Sequence, residues 1–315
     1  MRVEDVDEPH AGPGELLVRM RACGICGSDL MDWYQAPRAP VVLGHEPVGE
    51  IVEGNGLFPV GQRVFVHHHV PCGDCVRCRT GHETLCEAFR RTRIVPGGLA
   101  ELFVVPAENA SGDTLPLPDS LDDDEATLVE PLACVLRGQR LAGVGAGSRV
   151  LVVGGGQIGL LTAQAARALG AGEIAVAEPL PERRAIAERI GVAAVDPAPA
   201  AIPFRPDIVV VCVSAPEAFE LAVAVVDDGG IVQLFAPPPP EKRLPLDGAA
   251  LLFRELTVQG SYSCGPSDTR RALELLAAGV VSGEHIVTHR FPLERAADAL
   301  AAARSREAVK VVVTA

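Results

Sequence analysis

Four cysteines in the phrase VPCGDCVRCRTGHETLC, namely Cys72, Cys75, Cys78 and Cys86, follow the spacing C-x-x-C-x-x-C-x7-C. Two-residue spacers let neighbouring thiolates converge on one ion. Four sulfurs then complete a tetrahedron with no open position, which is the make-up of a structural zinc site. A redox C-x-x-C would need two cysteines, not four. An iron–sulfur cluster is the chemical competitor, since four thiolates also suit iron, but the chain offers nothing that reads as an electron-transfer partner. A closed site staples a loop and does no chemistry. Chemistry needs a second, open metal site, and Cys26, His45, Glu46 and Glu130 are the candidates. A mixed Cys/His/carboxylate set leaves a position for water or substrate. Singly, each has a plainer reading: a lone cysteine is usually a buried small hydrophobe, a lone histidine a hydrogen-bonded or surface residue. The triplet His67, His68 and His69 precedes the cysteine lobe. Adjacent strand residues point to opposite faces, so the three cannot all bind one ion. A solvated strand end is the favoured reading, with at least one ring free to line a cleft.

The second constellation is Gly154-Gly155-Gly156-Gln157-Ile158-Gly159, a G-x-G-x-x-G that follows the apolar run RVLVV. It opens a helical pattern, and Glu178 stands 24 positions after Gly154 at the end of the next apolar run. That context, more than the glycines alone, marks a dinucleotide site. Gly154 permits the tight turn, Gly156 lets the backbone approach the pyrophosphate, and Gly159 lets helix and strand pack closely. The helix N-terminus supplies amide donors at Gln157 and Ile158. Glu178 would accept hydrogen bonds from the ribose hydroxyls and repel a 2′-phosphate, favouring NAD over NADP; Arg183 and Arg184 pull the other way, as partners for a phosphate.

The elements that must position these residues change character along the chain. The first third reads as short strands and turns, at Leu16 to Met20 and Gly61 to Val66, without long helices between them. From about Leu121 the sequence becomes alanine-rich, and strands near 149–153, 174–177, 207–213 and 230–235 alternate with helices. Alternation of this kind implies right-handed crossovers and a parallel sheet. Pro237 to Pro240 cannot be helix or central strand and marks a boundary. A strand at 256–260, helices at 269–278 and near 293–304, and a closing strand at 309–313 follow. The expected fold class is α/β, a β-rich first third followed by a parallel sheet with helices that runs to the proline boundary.

Composition narrows the partners. The 315 residues suit about two domains. A net charge of −13 and 4% aromatic residues argue against a nucleic-acid partner. No apolar run reaches the ~18 residues of a membrane helix, and the acidic start is unlike a signal peptide, so a cytoplasmic protein without a membrane partner is expected. Six of the nine cysteines lie between Cys23 and Cys86, which places the metal chemistry in the first domain.

The phrases CGICGSD, GHEPVGEIVE, the four-cysteine lobe, VEPLACVLRG and VLVVGGGQIG, in this order along nearly the whole chain, resemble the zinc-dependent medium-chain dehydrogenase/reductase family. The EPL phrase around Glu130 is most similar to its polyol and threonine dehydrogenase branch. The resemblance implies an α/β fold in which a GroES-like, β-rich catalytic domain at 1–133 and 239–315, with its zinc lobe at 71–87, is interrupted by a Rossmann domain, a doubly wound parallel sheet at 134–238, with the active site in the cleft between them. It also implies two zinc ions per chain, one catalytic and one structural, with NAD as the hydride acceptor. Catalytic zinc would rest on Cys26, His45 and a carboxylate, Glu46 or Glu130, both within reach. Ser28 matches the hydroxyl that takes the substrate proton, and Met31 stands where many relatives continue the relay with a histidine. Lys310 matches a basic position near the cofactor phosphates, against the plainer reading of a solvated lysine on an edge strand. Trp33, Tyr34 and the segment 261–264 are expected near the substrate. Cys23, Cys134, Cys212 and Cys264 are expected to pack.

The function implied is hydride transfer between NAD(P) and a secondary alcohol: a polyol, sugar alcohol or amino alcohol, with threonine oxidation as the close alternative. A zinc-free reductase on the same scaffold should lack both metal sets, and a non-enzymatic zinc protein need not keep Ser28, Glu46 and the glycine fingerprint. A homodimer or homotetramer is expected, with the strand near 230–235 as the edge a second subunit would meet. The short start and the short loop between Glu53 and Gly61 point either to a pared-down enzyme or to a start upstream of Met1.

Overall fold

The computed structural model describes residues 2–54, 56–305 and 307–315. Expectations attached to Met1, and to Asn55 within the short loop, lie outside the described residues. The chain forms two compact units, residues 1–133 with 264–315, and residues 134–263.

The first unit is built on strands β1 (Leu16–Gly24), β2 (Glu46–Glu53), β3 (Arg63–Val66), β4 (Leu102–Val105) and β5 (Thr114–Pro116). The second unit contributes β6 (Arg149–Val153), β7 (Glu173–Ala177), β8 (Ala193–Val195), β9 (Ile208–Val211), β10 (Ile231–Leu234) and β11 (Thr257–Gly260). The chain returns to the first unit with β12 (Val287–Pro292) and β13 (Lys310–Thr314). In the first sheet the order is β12-β13-β1-β2-β3-β5, with β4 also pairing β1. β1 is therefore central, and its side chains are almost all buried: Leu16, Val18, Met20 and Cys23 pack with Ile51, Val64, Phe103 and Val313. Burying each large aliphatic or aromatic side chain contributes about 1.5–3 kcal/mol. β1 lies antiparallel to both β2 and β13, with Gly24 opposite Glu46 on one side and Val312 on the other. Two strands distant in sequence thus deliver their side chains around Gly24.

The second unit is a parallel sheet of order β11-β10-β9-β6-β7-β8. Its strands are continuous apolar runs because helices cover both faces; Leu151, Val153, Ala175, Val209, Val211 and Val232 fill the core against Phe219. Strand order reverses between β6 and β9, and ligands of such sheets bind beyond the carboxyl ends of the strands at that switch point. The glycine-rich turn leaves β6 there.

Two expectations are corrected here. Pro237 to Pro240 does not end the parallel-sheet unit: β11 lies beyond it and pairs with β10, so the division falls between Ser263 and Cys264. The prolines sit in the connection between two neighbouring parallel strands, where no ladder donor is required. β10, expected at the edge, has β9 and β11 on its two sides, and the edges are β11 and β8.

Candidate active site and metal centres

The four-cysteine lobe closes around the short helix Val76–Arg79. Cys75 Sγ lies 3.5 Å from Cys78 Sγ, Cys86 Sγ 3.5 Å from Cys72 Sγ, and Cys72 Sγ 3.9 Å from Cys78 Sγ. Four sulfurs at about 2.3 Å from a tetrahedral zinc stand about 3.8 Å apart, so the lobe fits the ion. Burial pushes the Cys86 thiol up, but the amides of Cys72, Phe89 and Ala88 overcome it and pull the thiol down to about 6. A thiolate at neutral pH is the form a metal takes.

Cys26, His45 and Glu46 come together at the end of β1 and the start of β2, their ligand atoms within 4.8 Å of one another. A residue that the sequence reading passed over sets their orientation. Asp29, nearly buried, accepts the Cys26 backbone N–H through one carboxylate oxygen at 3.0 Å, and its other oxygen lies 3.5 Å from His45 Nδ1. Its position three residues after Cys26 allows this reach-back, and that spacing was the available signal. Desolvation works against the His45 imidazolium, yet Asp29 and the Cys26 sulfur hold its pKa well above the ordinary value. The pocket thus favours a cation. Glu46 has one buried oxygen, Oε1, with no hydrogen-bond partner. A thiol, an imidazole and an unsatisfied buried carboxylate oxygen fit a zinc ion with a fourth position left open. Ser28, partly buried, lies in the single turn Gly27–Leu30 that follows Cys26.

The other Glu46 oxygen accepts from Lys310 Nζ, and both side chains are wholly buried. Lys310 Nζ also donates to the Ile25 carbonyl at 3.2 Å. The plainer expectation for Lys310, a solvated lysine on an edge strand, does not hold: the side chain is buried. β13 is paired on both sides, and Lys310 turns inward to the Glu46 carboxylate. Gly24 makes room, since a Cβ there would stand 2.0 Å from Glu46 Oε2 and 2.6 Å from Lys310 Nζ. Burial pushes the Glu46 carboxyl up, with Glu130 adding to it, while Lys310 and His45 pull it back.

Glu130 is close enough to act on Glu46 electrostatically, but its ligand atom groups with His67 and Cys264, all within 4.8 Å of one another and all buried. His67 is therefore no solvated strand end. Asn109 donates to the carbonyls of His67 and His68, turning the chain inward after β3. His67 Nδ1 meets Asp113 Oδ2 at 2.7 Å, and His67 Nε2 lies 3.6 Å from Cys264 Sγ. Burial disfavours the His67 imidazolium, but Cys264 and Asp113 hold its pKa well above the usual value. Burial and the neighbouring imidazoles push His68 far down, and burial takes His69 down to about 4; His69 Nδ1 donates to the Thr92 carbonyl. Cys264, expected to pack within a segment near the substrate, was not foreseen beside a histidine: 197 positions separate it from His67.

In the second unit, Gly154 has φ +109, and Gly159 faces it so closely that a Cβ at Gly159 would lie 1.8 Å from the Gly154 carbonyl oxygen. A Cβ on Gly156 would meet nothing within 4 Å, leaving open space at the start of the helix Gln157–Ala168. Such a turn at a helix N-terminus can offer backbone amides to a phosphate. Glu178, nearly buried at the end of β7, accepts from the Gly155 N–H at 2.6 Å and the Leu180 N–H at 2.9 Å. Arg184 donates to the carbonyls of Glu178 and Pro179, and Arg183 lies beside it in the first turn of the helix Pro181–Arg189. No helix among the described residues is long and apolar enough to cross a membrane.

Two family profiles match the chain: an alcohol dehydrogenase GroES-like domain over residues 12–119 and a zinc-binding dehydrogenase over residues 158–278. The L-threonine 3-dehydrogenase of Salmonella newport is 31% identical over 331 residues, covering 98% of this chain and 95% of the relative. A structure from Sinorhizobium meliloti 1021, described as a zinc-binding dehydrogenase bound to NADP, superposes with TM-score 0.89 at 34% identity over 100% of this chain and 96% of that one. The 2R,3R-butanediol dehydrogenase of Bacillus subtilis superposes with TM-score 0.84 at 27% identity over 100% and 96%.

Proposed function

The chain belongs to the zinc-dependent medium-chain dehydrogenases of the alcohol dehydrogenase superfamily, and from that premise we propose that it oxidises a secondary alcohol bearing a neighbouring polar group. Threonine and butanediol, the substrates named for two relatives, both carry a secondary hydroxyl beside a second heteroatom. Polyols, sugar alcohols and amino alcohols share that feature. The observation that carries the reading is the set Cys26, His45 and Glu46, with the unsatisfied Glu46 Oε1 among them.

When bound, zinc would polarise the substrate hydroxyl, and the nicotinamide would accept the hydride. Cys26, His45 and Glu46 are the residues to hold that ion. Asp29 fixes His45 through Nδ1, which orients the ring for metal ligation through Nε2. Ser28, two residues from Cys26, is the hydroxyl to take the substrate proton. Cys72, Cys75, Cys78 and Cys86 hold the structural zinc. Gly154, Gly156, Gln157, Ile158 and Gly159 cradle the pyrophosphate, and Glu178 accepts from the ribose hydroxyls, which supports NAD. Arg183 supports NADP instead, as does the NADP in the Sinorhizobium meliloti structure. The need to keep metal thiolates reduced supports a cytoplasmic location. A homodimer or homotetramer would use the β11 edge.

The test follows nicotinamide absorbance with zinc-loaded protein, NAD or NADP, and a panel of threonine, butanediol, polyols and simple primary alcohols. Turnover of a vicinally substituted secondary alcohol, falling about a thousandfold or more in Cys26→Ala, is expected. Inertness toward the whole panel with zinc loaded overturns the reading and favours a non-enzymatic zinc protein.

A further inference from the structure

We propose that His67, Glu130 and Cys264 form a third metal site, distinct from the four-cysteine lobe and from the Cys26, His45 and Glu46 set, and selective for a zinc-like transition ion. Its ligands come from three separate segments of the first unit. His67 follows β3, Glu130 opens the helix Val129–Leu141, and Cys264 lies just before the helix Pro266–Ala277.

Three observations carry the site. The first is the outer shell. Asp113 accepts from His67 Nδ1 at 2.7 Å through one oxygen, and its other oxygen accepts from the Thr269 hydroxyl at 2.6 Å. A carboxylate that holds one ring nitrogen fixes the direction of the other, which presents its lone pair to an ion that displaces the proton, and this is the arrangement found behind metal-ligating histidines. The second is spacing. A nitrogen at about 2.0–2.1 Å and a sulfur at about 2.3 Å from a tetrahedral ion stand about 3.6 Å apart. His67 Nε2 and Cys264 Sγ are 3.6 Å apart. The same geometric test is met by the four cysteines of the lobe, whose sulfurs lie 3.5–3.9 Å from their neighbours. The third is composition. A neutral imidazole, a thiolate and a carboxylate bring two negative charges to a divalent cation, and this mixture of soft and borderline donors suits zinc. Cys264 Sγ also lies 4.0 Å from the Glu130 carbonyl oxygen, so the fold itself brings the Glu130 carboxylate within 4.8 Å of both other ligand atoms.

The assignment has a consequence for the neighbouring set. Glu130 serves the third ion, so Glu46 is the carboxylate left to Cys26 and His45. That centre then has three protein ligands and one open position, as catalytic zinc sites do.

Metal content decides it, without reference to turnover. Full-length protein is saturated with zinc alone, freed of loosely bound ion by gel filtration, and assayed by elemental mass spectrometry. Three equivalents per chain are expected in the parent and two in Cys264→Ser. Cys26→Ser should lose a different equivalent, so that the double variant retains one; failure of the first centre and of this one are therefore read separately. With cobalt in place of zinc, the parent-minus-Cys264→Ser difference spectrum should contain a thiolate-to-cobalt charge-transfer band. Should Cys264→Ser fail to fold, Asp113→Asn keeps all three ligands and should weaken the third equivalent by about 10- to 100-fold as a positioning effect. Equal metal content in parent and Cys264→Ser, with no cobalt difference band, overturns the proposal and leaves a hydrogen-bonded thiol. For the asparagine variant, an unchanged third affinity does the same.

Discussion

Replacing Lys310 by methionine should destabilise the first unit severely. Lys310 and Glu46 are both fully buried, and the lysine ammonium is the cation that faces the carboxylate across Gly24. Methionine nearly matches the lysine stem in volume, so little packing is lost; what is lost is the charge. A buried pair broken on one side costs about 3–5 kcal/mol, because the remaining charge is uncompensated. At 1.4 kcal/mol per tenfold, that is about a 10²- to 10³-fold or larger shift in the unfolding equilibrium. The Ile25 carbonyl also loses its donor. The double variant Glu46→Gln with Lys310→Met removes both charges and should be more stable than Lys310→Met alone. The assay is guanidinium unfolding followed by the fluorescence of Trp33 in protein freed of metal, where no bound ion shares the Glu46 charge. Trp33 is the single tryptophan of the chain and lies in the same unit as the pair. Such a local probe matters because a chain of two units need not unfold in one step. A cost below about 1 kcal/mol for Lys310→Met, or simple additivity in the double variant, would refute the claim that charge pairing is what keeps Lys310 inside.

Three further predictions concern the second unit. Gly159→Ala places a Cβ 1.8 Å from the Gly154 carbonyl oxygen, a backbone atom that cannot step aside, so it should cost about 1–3 kcal/mol and weaken dinucleotide binding in calorimetry. Gly156→Ala meets nothing within 4 Å and should fold normally while binding dinucleotide less well; equal stability of the two variants counts against the close-packing role. Hydrogen bonds from Arg149 hold the Asp207 carboxyl below its usual value against the opposing effect of burial, and Asp227 is held down by Arg149 in the same way. A carboxylate depressed in the folded state contributes stability at neutral pH that is lost as pH falls below about 4 toward the folded value. Thermal unfolding of Asp207→Asn should therefore depend less steeply on pH in that acid range than the parent, and parallel curves would show the pair to be neutral.

Local pattern made much of this protein legible. The four-cysteine spacing names its own ion, because short spacers confine the ligands whatever the rest of the chain does. The glycines at 154, 156 and 159, after one buried strand and before a helix, likewise describe a phosphate cradle formed by contiguous residues. The alternation of strand and helix from residue 149 to 235 required a parallel sheet, since each crossover is local. Cys26 and His45 were legible as candidates because each sits in a tight phrase of its own.

What lay beyond reading was every contact made between distant strands. β13 pairs with β1, and that pairing, not the AVKVVV phrase, decides that Lys310 faces Glu46 instead of solvent. The four prolines at 237–240 looked terminal, but a parallel neighbour can follow any connection, so β11 joined the second sheet. Cys264 and His67 share no phrase, and only folding brings the thiol to the ring that Asp113 and Thr269 hold in place. The sequence alone determined which chemistry was available, because ligand type and short spacing are local properties. That Glu46 meets Lys310 while Glu130 lies with His67 and Cys264 was decided by tertiary structure, because burial, register and charge compensation are properties of the assembled sheet.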